Sequence, residues 1–99
     1  MREITVRFNN NKQYVVFFID DNFYTKYGSK QYAYYECVGN DDDEYYANIY
    51  LPTGLTEAEL AGTVAHEVTR LVCDRMQTQI ATMSGEIVTE FMEQYGKPR

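Results

Sequence analysis

Leu60-Ala61-Gly62-Thr63-Val64-Ala65-His66-Glu67-Val68-Thr69-Arg70-Leu71-Val72 is the stretch that decides the fold. At about 100° per residue, Leu60, Ala61, Val64, Ala65, Val68, Leu71 and Val72 fall on one arc, and Met76 extends it. Glu59, Gly62, His66, Arg70 and Cys73 fall on the opposite side, with Glu67 at the border. Just upstream, Thr56 followed three residues later by Glu59 reads as a capping box. The pattern predicts one long amphipathic helix over 56–78.

Outward from that helix, the first half of the chain reads as strands. Ile4, Val6 and Phe8 alternate with Thr5, Arg7 and Asn9, the period of a half-buried strand. Asn9-Asn10-Asn11-Lys12 is a turn signal, and Tyr14 to Ile19 completes a predicted hairpin that Asp20-Asp21-Asn22 closes. Phe23 to Lys30 reads as a loop around Gly28. A third strand is expected near Gln31 to Val38 and a fourth from Tyr45 to Leu51, separated by the turn at 39–43, with Pro52 and Gly54 ending the sheet region. Beyond the long helix, Ser84 reads as the cap of a last helix. Its apolar face is Val88, Phe91, Met92 and Tyr95, and its acidic face is Glu86, Glu90 and Glu93. Gly96-Lys97-Pro98-Arg99 reads as a helix stop. The expectation is a single α+β domain over 1–99: a small, mainly antiparallel sheet of about four strands followed by two helices.

Composition narrows what such a domain does. Fifteen acids against nine bases give a net charge of −6, and from Gln31 to Thr69 there are eight acids and no Lys or Arg. A surface of that sign repels nucleic acid and anionic lipid and attracts basic patches on proteins. No apolar run approaches the length of a membrane span. The opening residues enter a strand pattern rather than a signal peptide. Cys37 and Cys73 lack a disulfide-rich spacing, so they are expected to be reduced and at least half-buried, in a cytoplasmic protein. Ten Tyr, five Phe and no Trp favour strands and recognition surfaces.

The chemistry on the long helix turns on one position. A metal-binding H-E-x-x-H motif sets two imidazoles one helical turn apart, with the intervening glutamate as general base. Here the run is His66-Glu67-Val68-Thr69-Arg70, and Arg70 has no lone pair to give a metal near neutral pH. Cys73 shares the His66 face but lies about 10.5 Å further along the axis, too far for zinc bonds of about 2.0–2.3 Å. With a single histidine in the chain, no Ser-His-Asp or Cys-His arrangement competes.

The stretch Thr63 to Val72, in its place after a strand pair and before a shorter helix, resembles small zincin-like metallopeptidases, notably short phage-encoded ones. The likeness in layout runs from Tyr45 to Tyr95. It implies His66 as first metal ligand, Glu67 as general base and Glu86 as acidic third ligand. Arg70 departs from the pattern in place of a ligand. One consequence is an ion pair: Arg70 standing where zinc would be and neutralising Glu86 bidentately.

These readings converge on a non-catalytic, acidic protein-binding domain on a degenerate zincin-like scaffold, with no cofactor. The expected partner is a basic, nucleic-acid-binding protein, as for phage proteins that block bacterial defence complexes, anti-CRISPR proteins among them. The expected contact is the turn Asp41, Asp42, Asp43 and Glu44 with Tyr45 and Tyr46. Charge at a hairpin tip also guards against aggregation, a purely structural role. One alternative is a zinc hydrolase using His66, Glu86 and Glu90 or a partner's ligand. The other is a self-associating subunit with an open strand edge.

Overall fold

The computed structural model describes residues 1–29, 32–40, 42–74 and 80–97. Strands β1 (Arg2–Phe8) and β2 (Gln13–Asp20) form the expected antiparallel hairpin. A short helix α1 (Phe23–Tyr27) follows where the sequence suggested only a loop. Strand β3 (Tyr34–Cys37) pairs antiparallel with β4 (Tyr45–Pro52). Helices α2 (Glu57–Asp74) and α3 (Ile80–Tyr95) complete the chain. The domain is α+β, with a sheet followed by two helices as the pattern implied; among the described residues α1 is an additional short helix between β2 and β3.

The sheet order is β1-β2-β4-β3, and the two central strands run parallel. That pair was not anticipated, although β2 carries a hint of it: Tyr14 to Ile19 is apolar without interruption, a run common in parallel strands. Val6 and Phe8 of β1, Val15 and Phe17 of β2, and Ile49 and Leu51 of β4 turn to one face, where Leu60, Val64, Val68, Leu71, Ile87 and Phe91 of the helices cover them. Helix α3 lies over β1, while α2 reaches β3. At the start of β4 the register shifts opposite Tyr14 and Val15. This bulge lets Tyr45 meet Tyr14 outside, the rings tilted at 35°, while Tyr46 packs inside against Phe8, ring centroids 5.3 Å apart.

The capping box forms: the Thr56 N–H donates to Glu59 Oε1 at 3.0 Å, and the Glu59 N–H donates to Thr56 Oγ1 at 3.2 Å. Those bonds hold the Glu59 carboxyl below its usual range. Ser84 does not cap α3, which begins earlier; it lies inside the helix, buried, because the helix continues its apolar row through Met83 and Ile87. Both cysteines are exposed rather than half-buried, since Cys37 lies on the edge strand and Cys73 on the outer side of α2. Residues 75–78 of the predicted long helix, Met76 among them, lie outside the described residues. Among those described, no helix is long and apolar enough to cross a membrane.

Candidate functional site

Helix α2 delivers His66, Glu67 and Arg70 to a groove beside the segment that leads into β3. Two lobes of about 320 Å³ each share Ala33, Glu67 and Arg70; Tyr32 and His66 line one, Tyr34 and Tyr35 the other. His66 is exposed, as its place on the arc required. Glu67, at the border of the arc, is buried at 5% exposure. Burying a carboxylate is unfavourable without a partner, and Arg70 Nη1 supplies one by donating to Glu67 Oε1 at 3.4 Å. The same guanidinium stands 5.7 Å over the ring of Tyr35.

The expected Arg70–Glu86 pair is not the one that forms. Glu86 Oε2 accepts instead from the Asn9 backbone N–H at 2.9 Å, in a cleft shared with Arg7 and Asn10. The reason lies in the layering: Arg70 projects from the flank of α2 toward β3, whereas Glu86 projects from α3 toward the β1–β2 turn. Glu90, the other candidate ligand, accepts from Gln94 Nε2 at 3.0 Å. A zinc ion needs three convergent protein ligands, and His66 and Glu86 serve opposite flanks of the helix layer. Among the described residues no group of three His, Cys, Asp or Glu side chains could hold a metal. Among the described residues, His66, Glu86 and Glu90 are not brought together as a ligand set.

The acidic turn is engaged largely with its own chain. Asp43 accepts from the Asn40 N–H at 2.8 Å, its carbonyl accepts from the buried Gln13 side chain at 3.1 Å, and Glu44 pairs with Arg7 at 3.1 Å. Gly39, at φ 63°, completes the turn, because a Cβ there would run into the Asp43 carboxylate. Asp42 is exposed, and Asp41 lies outside the described residues. Tyr45 is half-buried, its hydroxyl donating to Asn48 Oδ1. Tyr46, expected at a partner contact, is fully buried through the bulge and cannot make one.

A surface that the sequence reading missed lies on the sheet face away from α2 and α3. Phe18 stacks on Tyr50 at 5.1 Å, Tyr50 meets Tyr34 and Tyr27 at 5.9 Å each, and Tyr27 stacks on Tyr34 at 5.0 Å. Phe23 of α1 is buried and packs against Tyr27, ring centroids 4.9 Å apart. Glu36 stands at its edge, Oε1 accepting from Asn48 Nδ2 at 3.3 Å and from the Tyr50 hydroxyl at 3.4 Å. Desolvation first, and then the Glu36 charge, raise the Tyr50 pKa, keeping the phenol neutral. Desolvation likewise raises that of Tyr45. The signal was present in the strand alternation: Phe18, Tyr50 and Tyr34 all occupy outward positions where polar residues are the norm.

The fold and these surfaces define a small open-faced α+β domain with a two-helix layer on one side and an aromatic face on the other. The chain matches no protein-family model, no curated protein and no solved structure.

Proposed function

We propose that this chain is a non-catalytic, acidic protein-binding domain whose partner is a basic, nucleic-acid-binding protein. The role it suits is that of a cytoplasmic, phage-encoded inhibitor of a bacterial defence complex, of the anti-CRISPR kind, on a degenerate zincin-like scaffold. The observation that supports this reading is the aromatic sheet face, whose β3–β4 half carries Glu36 and no Lys or Arg. Aromatic rings give anchors of large contact area, and the acidic surround favours encounter with a positive surface while repelling nucleic acid. This reading places the contact on the aromatic face, at the end of the β3–β4 pair away from the turn at 41–46.

Capture on the immobilised domain from a bacterial lysate tests the reading. The expected result is a small set of basic proteins, retained at low salt and released as screening rises. A captured set that is neither basic nor salt-sensitive would count against it. One zinc per chain retained after zinc loading and dialysis would instead revive the hydrolase alternative, with a ligand set other than His66 and Glu86.

A further inference from the structure

The aromatic face has a chemical preference that can be read from how the rest of the molecule treats its tyrosines. Three arginines already lie over tyrosine rings: Arg2 over Tyr95 at 5.1 Å, Arg7 over Tyr14 at 5.3 Å and Arg70 over Tyr35 at 5.7 Å. In two of these the guanidinium also meets a carboxylate, Glu44 for Arg7 and Glu67 for Arg70. The group formed by Tyr27, Tyr34 and Tyr50 has the same two components, ring faces and the adjacent Glu36 carboxylate. Among the described residues none of the chain's own cations stands over it. Tyr34 is 43% exposed, and Glu36 is exposed with two long hydrogen bonds among the described residues, so both are open to a partner.

We propose that Tyr34, Tyr50 and Glu36 form a docking site for an arginine side chain of the basic protein partner. This rests on the reading above and names the side chain that the face selects. A planar guanidinium stacks on a ring while its fork bonds a carboxylate at the ring's edge. A lysine ammonium is a compact, strongly hydrated point charge that cannot do both as well. Tyr27 backs the site by stacking on Tyr34, ring centroids 5.0 Å apart.

The test is calorimetric titration of the full chain with hexa-arginine and with hexa-lysine, at low ionic strength. Hexa-arginine is expected to bind about tenfold more tightly than hexa-lysine, and Glu36→Gln and Tyr34→Ala each to weaken it about tenfold. Both substitutions are at exposed positions, and an unchanged unfolding midpoint verifies that the fold is intact; Glu36→Gln alone carries the test should Tyr34→Ala not fold. Asp42→Asn, exposed on the turn, is expected to change little. Equal binding of the two peptides, or loss with Asp42→Asn but not with Glu36→Gln, overturns the arginine site and leaves a basic partner in place. Binding of neither peptide overturns both.

Discussion

Three consecutive asparagines take the first hairpin through left-handed backbone, with φ of 55°, 56° and 63° at Asn9, Asn10 and Asn11. Asn tolerates this region because its short polar side chain can satisfy the local backbone, whereas an ordinary residue there is disfavoured by roughly 1–2 kcal/mol. Asn10→Ala is therefore expected to lower stability by about 1 kcal/mol in urea unfolding. The opposite sign is expected at Ser84, whose buried Oγ has no hydrogen-bond partner among the described residues. Ser84→Ala should raise stability by about 0.5–1 kcal/mol, combining helix propensity with removal of an unsatisfied hydroxyl; a lower midpoint would show that the hydroxyl is satisfied. Asp20 is a third such residue. It accepts from Lys26 Nζ at 2.7 Å and from the Asn22 N–H at 2.9 Å, and these bonds lower its pKa from 3.8 while the Asp20 bond raises that of Lys26 from 10.5. A lowered carboxyl pKa adds stability that is present above pH 3.8 and is lost as the pH falls through the folded value. A raised ammonium pKa adds stability that is present below pH 10.5 and is lost as the pH rises through the folded value. Lys26→Met should flatten both limbs of the stability–pH curve, an effect read directly from thermal unfolding at several pH values.

At the scale of the element, helix termini show how far a sequence can be read. The start of α2 was legible because both members of its cap, Thr56 and Glu59, lie within one turn of each other. The end of α3 was legible too, as the stop at Gly96 directly after Tyr95, but what satisfies its carbonyls was not. Its last turn holds no basic residue, and its carbonyls at Gln94 and Tyr95 accept instead from Arg2 Nη2 and Nη1, at 3.1 Å each, from the far end of the chain. A cation at a helix C-terminus stabilises it through the exposed carbonyls and the helix dipole. Arg2→Ala should lower stability by about 1 kcal/mol and speed amide exchange in the last turn of α3. Exchange unchanged there would mean that the helix end is held by packing alone. The partner-facing elements follow the same division. The acidic turn could be found as a run of like residues, but that Glu44 pairs with Arg7 and that the Asp43 carbonyl accepts from Gln13 depend on two hairpin tips meeting in space.

For the whole molecule, charge and layering set the behaviour. Three ion pairs join described side chains, Arg7–Glu44, Lys26–Asp20 and Arg70–Glu67, which leaves most of the acids to repel one another at a net charge of −6. Adding salt from a few millimolar to physiological strength should therefore raise the melting temperature, because screening weakens that repulsion more than it weakens three pairs. A fall in melting temperature would mean that the pairs outweigh the repulsion.

Local pattern alone determined the α+β class, the first hairpin, the capped start of α2 and the exposure of His66, because each depends on neighbours within a few residues and on one period of burial. Only the tertiary structure decided that β2 and β4 lie parallel at the centre, that Tyr46 turns inward, and that Arg70 meets Glu67 and Tyr35 while Glu86 meets Asn9. It also gathered Phe18, Tyr27, Tyr34 and Tyr50 from four elements onto one face. Those juxtapositions depend on which strand edge pairs with which and on which flank of a helix meets the sheet. They are set by burying the whole core at once, and no short window of sequence records them.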